Sequence, residues 1–298
     1  KPWWLSELRF RAAYGASGVQ PGSNDALRFF GTSLQSIRFT DQSGLQISAL
    51  GNTDLKPERS TEWESGFDAK LLDARVNLEV TRYNKRTKDA LINAIVAPSA
   101  GSANSVRRNL GAVGNTGWEF QANTQLIDTR NFAMDFTVSY STNDNKVISL
   151  GGTPEQKGTT NWIVEGYPIR AFFENPILGY EDKNGDGLIT YWGGADSAKN
   201  EIFVGAEDVF LGYNQPRRLG TLATGFDFLN RKLRIQTLFD YRGGHLWYNN
   251  TERIRCTRPN CSGRMNPDGL LVEKAATTAA LEHPARTNAG YFQDGEYV

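Results

Sequence analysis

The run with the most closely spaced oxygen ligands is Asp182-Lys183-Asn184-Gly185-Asp186-Gly187-Leu188-Ile189-Thr190. Side-chain oxygens at its first, third and fifth positions, a glycine at the sixth and a carbonyl at the seventh are the pattern with which a loop wraps a hard cation. Asp182, Asn184, Asp186, the carbonyl of Leu188 and Thr190 are therefore the candidate ligands, and calcium is the ion they suit. The twelfth position is Gly193 rather than a bidentate glutamate, so Glu181, Asp196 or water has to complete the shell. The same composition also makes a turn that caps its own backbone. Both readings stand at the level of sequence, and no other cofactor is expected.

Three further groups bear chemistry. Cys256 and Cys261 are the only cysteines, in CTRPNC. A close pair in a polar loop suits a disulfide in an oxidising compartment, with two free thiols as the alternative. His245 and His283 lie outside any zinc-ligand spacing. Trp162, Tyr180, Tyr191 and Trp192 stand among Asp and Asn, as sugar-stacking or partner-contact aromatics do; packing within their own loop is the plainer reading. Arg253, Arg255, Arg258 and Arg264 surround the cysteines and suit an acidic substrate or anionic lipid headgroups, against a default of solvated loop charges. No nucleophile–base pair and no isolated carboxylate pair stands out, so an enzyme is not expected. With 33 basic and 33 acidic residues there is no global basic field, and nucleic acid is set aside as a partner.

These residues need elements to position them, and the elements read as strands. In Asn115–Tyr140, Trp118, Phe120, Ala122, Thr124 and Leu126 alternate with Glu119, Gln121, Asn123 and Gln125. After Asp128–Asn131 the alternation resumes with Phe132, Met134, Phe136, Val138 and Tyr140. A period of two puts one set on each face of a sheet. The same pattern predicts strands at about 4–16, 60–71, 75–87, 217–228 and 233–244, and a helix at about 269–281. A half-buried soluble sheet and a membrane-barrel wall both have this pattern. Mean hydropathy is −0.49, and no run approaches the ~18–20 apolar residues of a spanning helix. That excludes a helical membrane protein and leaves the barrel.

Loop lengths separate the two. Short turns at 72–74, 128–131 and 229–232 join successive strand pairs, and the long connections are 17–59, 88–114, 148–215 and 245–290. If 148–215 adds no through-going strand, or an even number, all short turns fall at one rim and all long loops at the other. Outer-membrane barrels have that arrangement. The start, KPWWLSELRF, has no signal-peptide pattern, and the chain reads as an internal piece of a longer protein.

Several stretches resemble the C-terminal part of the SusC/RagA-type TonB-dependent outer-membrane transporters. GNTDLKPERSTEWESG opens one such stretch, 51–92, which closes on YNKRTKDALI. The others are NLGAVGNTGWEFQAN (109–123), EGYPIRAFFENPILGYEDKNGDG (165–187), LGYNQPRRLGTLATGFDF (211–228) and YFQDGEYV (291–298). They occur in family order along nearly the whole chain. Thr53 stands where the family has proline, and CTRPNC is not a general family feature. The resemblance implies an all-β fold, an antiparallel up-and-down transmembrane β-barrel of about 22 strands with a plug and long extracellular loops. Residues 1–298 would form part of that barrel, without the plug or the terminal strands. It implies residence in the bacterial outer membrane and import of a large nutrient, a glycan or peptide. The partners implied are a SusD-type surface lipoprotein, outer-membrane lipid and, through N-terminal parts not in this chain, TonB. A barrel with an adhesin or structural role, and a secreted calcium-binding β-rich enzyme, are the alternatives.

Overall fold

The computed structural model describes residues 2–101, 105–109, 111–258 and 268–298. Its first nine strands are β1 (Leu5–Val19), β2 (Phe29–Ile37), β3 (Thr40–Ala49), β4 (Glu58–Leu71), β5 (Val76–Lys88), β6 (Leu91–Ala94), β7 (Val106–Asn109), β8 (Ala112–Asp128) and β9 (Ala133–Ser149). Then come β10 (Gln156–Lys157), β11 (Asn161–Ile163), β12 (Ala171–Glu174), β13 (Ile177–Tyr180), β14 (Ile202–Val204), β15 (Val209–Gly212), β16 (Arg218–Phe228), β17 (Leu233–Gly243) and β18 (Leu246–Tyr248). Helices α1 (Asn250–Thr257) and α2 (Leu271–Leu281) precede β19 (Phe292–Asp294). The chain divides into a wall unit (Lys1–Gln156, Ile163–Ile169, Gly220–Asp240) and a loop unit (Lys157–Trp162, Arg170–Leu219, Tyr241–Val298).

Seven long strands form one sheet in the order β1-β4-β5-β8-β9-β16-β17. Each registered pair along it is antiparallel, and each short connection joins neighbours. All seven match predicted strands. None of β10 to β15 enters the sheet, so the parity condition on 148–215 is met. At the short-turn rim, Leu72, Asp73 and Ala74 run through left-handed conformations, as do Leu229, Asn230 and Arg231.

The pairing places the residues of each face in continuous rows. Phe10, Phe67, Val80, Phe120 and Tyr140 are mutually opposite across five strands. Leu8, Ala69, Leu78, Ala122 and Val138 form the next row. Large apolar side chains on this face are open: Phe10 is 76% exposed, Trp63 62% and Trp118 53%. A monomeric water-soluble surface rarely carries an apolar area of this extent; lipid accommodates it.

The aromatic edge of this face also gives the strand tilt. Tyr14 and Trp63 are opposite each other, with ring centroids 5.0 Å apart. Trp118 on β8 lies two residues nearer the short-turn rim than the residue in line with Trp63, and Tyr140 on β9 lies two residues nearer still. The line therefore recedes by four residues over four strand spacings. With ~3.4 Å per residue and ~4.8 Å between strands this is an angle of about 35°, within the strand tilt of membrane barrels. Phe132, just before β9 and tilted against Phe228 at 5.3 Å between ring centroids, marks the opposite edge. The two edges are separated by about 22 Å, close to the ~25 Å apolar band of outer-membrane barrels.

The other face is polar and internally paired. Arg9 Nη2 lies 2.6 Å from Asp68 Oδ2, and Arg11 Nε 3.3 Å from Asp68 Oδ1. Arg234 bridges Asp135 and Asp227, each at 2.8 Å. Lys85 meets Glu62 at 3.6 Å. Gly117 lets a ring cross this face: Tyr83 lies over it and donates to the Thr142 carbonyl at 3.1 Å. A Cβ at position 117 would sit 1.9 Å from that carbonyl oxygen and 2.4 Å from the Tyr83 hydroxyl. Gly117→Ala is expected to cost about 1–3 kcal/mol, as overpacking does, read as a lower urea midpoint for folding into vesicles.

Three elements depart from the sequence expectation. Residues 17–59 are not one irregular connection but hold the β2–β3 hairpin, whose turn residues Arg38 and Phe39 both have positive φ. β8 and β9 run to Ala112 and Ser149, beyond the predicted ends at Asn115 and Tyr140, because the polar alternation of Ser141–Asn145 still pairs. Cys256 lies in helix α1 rather than in a polar loop. Asn249 caps this helix by accepting from Glu252 N at 3.0 Å.

Candidate functional site

In the wall unit the loop-side rim opens into a polar cleft of about 820 Å³ lined by Arg28, Asp54, Lys56, Asp89, Arg108 and Gln156 among others. One side chain holds its parts together. Asn109 donates to the carbonyls of Lys56 at 2.8 Å and Asp89 at 2.7 Å, and accepts from Lys56 N at 2.9 Å. Asn52 donates to the Arg107 carbonyl at 2.9 Å. The LKPE segment is thus tied to the β6–β7 hairpin by an asparagine 53 residues away. Neither Asn109 nor Asn52 was distinguishable by spacing. The cleft presents cations, anions and amides together, a lining suited to a polar ligand held by hydrogen bonds rather than to bond-breaking chemistry.

In the loop unit, Asp182, Asn184 and Asp186 do come together, and their oxygens are engaged by the loop itself. Asp182 Oδ1 and Oδ2 accept from Gly185 N at 2.8 Å and Gly187 N at 2.9 Å. Asn184 Oδ1 accepts from Asp186 N at 2.9 Å. Asp186 accepts from Leu188 N at 2.7 Å and from the Asn184 amide at 3.0 Å. Thr190 N donates not to this cluster but to Glu201 Oε2, at 2.9 Å. Among the described residues no three His, Cys, Asp or Glu side chains assemble as a metal set.

Glu201 is the centre that the sequence did not reveal. It is 1% exposed. Its Oε1 accepts from Lys183 N at 3.1 Å and Asn184 N at 3.3 Å. Helix α2 closes the knot from the other side. Thr278 Oγ1 donates to the Ile189 carbonyl at 2.6 Å, and Lys274, 2% exposed, donates to the Gly187 carbonyl. Ile189, Ile202, Ala275 and Ala279 form the apolar core beneath.

The four aromatics divide. Trp162 stacks on Phe173 at 5.1 Å, donates to the Gly158 carbonyl at 3.0 Å and lies under the Lys157 ammonium. Tyr191 packs against His283 at 4.6 Å and against the core below α2. Tyr180 and Trp192 remain 41% and 50% exposed. Trp162 and Tyr191 are thus engaged by packing, whereas Tyr180 and Trp192 are more open, with the Lys199 ammonium 5.6 Å from the centre of the Trp192 ring. Arg255 pairs with Glu252 at 2.9 Å, and Arg253 donates to Asn250 at 3.0 Å. Cys256 is disulfide-bonded and buried; Cys261 and Arg264 lie outside the described residues.

Glu174, 7% exposed, accepts from Asn288 N, Asn288 Nδ2 and Thr287 Oγ1 at 3.2, 2.9 and 3.3 Å. Burial pushes its pKa up, and the bonds from Asn288 and Thr287 oppose the shift. A native pKa above the unfolded value of about 4.3 stabilises the fold below that value, and the contribution is lost as pH rises through the native pKa. Amide protection at 288–289, corrected for intrinsic exchange, is therefore expected to rise on acidification from pH 7 to about 4. Glu174→Gln should flatten that dependence.

A tilted antiparallel wall with an aromatic-edged apolar band, a paired polar face and long loops at one rim is the wall of an outer-membrane β-barrel. Residues 2–254 match the family model described as TonB dependent receptor-like, beta-barrel, and the chain belongs to that family. Members are receptors and transporters of the outer membrane, not an enzyme family. TonB-dependent receptor P26 of Formosa agariphila is 25% identical over 99% of this chain and 32% of its own length. TonB-dependent receptor SusC of Bacteroides thetaiotaomicron is 29% identical over 78% of this chain and 27% of its own. The chain thus spans about a third of these relatives or less. A structure of the RagAB peptide transporter superimposes with a TM-score of 0.69 at 21% identity, over 86% of this chain and 29% of that one.

Proposed function

We propose that this chain forms part of the barrel of an active importer that carries a large nutrient, a glycan or a peptide, across the outer membrane. The observation that carries the reading is the segregation of long loops to one rim of a lipid-facing wall, in a chain of the TonB-dependent receptor family. A polar rim cleft and the exposed Tyr180 and Trp192 suit a large polar ligand. A SusD-type surface lipoprotein would cover the loops, and TonB would supply energy through parts of the protein outside these residues. The relatives named SusC and the transporter RagAB support a two-component system of this kind. Transport of this sort needs no covalent chemistry.

The test is uptake in cells. Deleting the gene should abolish growth on one class of glycan or peptide as sole source, and complementation should restore it only while TonB is intact. A tagged full protein should also retain a lipoprotein through detergent extraction. Normal growth of the deletion strain on every oligosaccharide and peptide supplied would reject the reading.

A further inference from the structure

The row assignment gives an address to cations that the pairing network leaves out. Above the line of Tyr14, Trp63, Trp118 and Tyr140, the lipid-facing positions of β4, β5 and β9 include Arg59, Arg86, Lys88 and Lys146. All four are exposed. Arg59 and Lys88 are directly opposite, and Arg86 is opposite Thr61, one step below Arg59 on the same face. Arg82 lies at the aromatic line itself, its guanidinium 5.3 Å from the Trp118 ring centre. Among the described residues none of these five forms an ion pair, in contrast to Arg9, Arg11, Lys85 and Arg234 on the opposite face. The corresponding positions of β1, β4, β5, β8 and β9 hold one acid, Asp144. Inside the band, toward the short-turn end, the same face reads Leu5, Leu71, Val76 and Met134, without charge.

We propose that Arg59, Arg86 and Lys88, flanked by Arg82 and Lys146, form a binding surface for phosphorylated lipid headgroups of the outer leaflet. Three facts converge. The cations face away from the lumen, so a solute passing through the barrel does not meet them. They begin at the aromatic edge, where headgroups replace acyl chains. Arg86 and Arg59 lie about three and four residues above it, about 8–11 Å along the membrane normal, and the polar layer outside the apolar core is about 5–8 Å deep, so their long side chains can bend down onto the phosphates. Guanidinium groups bind phosphate through paired N–H donors, which suits Arg59 and Arg86 to the phosphates just outside the apolar edge.

The test uses the full protein, purified from outer membranes and reconstituted in phosphatidylcholine vesicles with or without phosphatidic acid. The parent is expected to keep tightly bound lipid phosphate through detergent washing, and to unfold at a higher temperature in the phosphatidic acid vesicles. The triple variant R59Q/R86Q/K88Q should lose at least half of the bound phosphate and the whole temperature gain. Each cation removed should weaken binding of the anionic lipid about fivefold. The charge-preserving R59K/R86K should keep the gain, which separates lost charge from lost folding. Equal unfolding temperatures of the parent in the two vesicle types would overturn the proposal. So would a triple variant that holds as much phosphate as its parent, or inorganic phosphate in neutral vesicles reproducing the gain. If the triple variant lost a co-purifying lipoprotein while keeping its lipid phosphate, the patch would be a protein contact and the proposal would fail.

Discussion

Phe136→Arg is expected to reduce the stability of the membrane-inserted barrel by about 2–4 kcal/mol, the cost of an arginine at the lipid-facing midplane. The position follows from the register. Phe136 is opposite Thr124 and lies four residues below Tyr140 on β9. At the tilt derived from the aromatic line this is about 11 Å below the outer edge, near the centre of the ~25 Å band. Its ring meets Phe226 edge-on at 5.9 Å, so the substitution also removes an aromatic contact. Snorkelling cannot relieve the charge there, because both headgroup layers are beyond the reach of the side chain. Ser139→Arg is the matched control. Ser139 is opposite Gln121, in the row that holds Glu79 and Asp68, on the paired polar face. The same charge three residues away should leave folding within about 1 kcal/mol of the parent. Heat-modifiable migration after refolding into vesicles across a urea series measures both. Equal midpoints for Phe136→Arg and the parent would mean that the two faces are reversed.

Wall strands read clearly because lipid and lumen impose a strict period of two on long segments, and seven such segments leave little choice of order. The β2–β3 hairpin was missed for a local reason. Its turn places Arg38 and Phe39 in left-handed conformations, where hairpins normally use asparagine and glycine, so no turn signal marks it. Helix α1 did carry a signal, an asparagine at 249 followed three residues later by Glu252, which is a capping pattern.

Site residues divide along another line. Asp182, Asn184 and Asp186 were legible because one loop supplies them. Glu201 and Lys274 were not. Each reaches the loop from another element, and neither has a spacing relation to it. The burial of Lys274 was hidden by the alanine-rich helix that carries it, in which a lysine reads as a solvated position. The chemistry of these side chains depends on a fold that brings residues 182, 201 and 274 together, and periodicity says nothing about that.

Glu201→Ala therefore tests the part of the loop unit that the sequence concealed, and it should have the larger local effect. One carboxylate accepts three backbone N–H groups, those of Lys183, Asn184 and Thr190. The main chain of Glu201 also pairs on both sides, accepting from Glu181 N at 2.8 Å and donating to the Thr190 carbonyl at 3.1 Å. Alanine keeps the main-chain bonds and leaves three donors without acceptors. An unsatisfied buried donor costs about 1–3 kcal/mol, and entry of water limits the sum, so a local loss of about 3–5 kcal/mol is expected. Glu201→Gln keeps one acceptor oxygen and should fall between the two. Hydrogen exchange across 181–204 reads the change as lost protection confined to the loop, with the wall strands unaffected. A calcium titration of the parent in the same experiment separates the two readings of the Asp182–Thr190 run. A bound ion would raise protection at 182–190, whereas a turn already capped by its own side chains should not respond. If Glu201→Ala kept full protection at Lys183, Asn184 and Thr190, the carboxylate would not be what holds the loop closed.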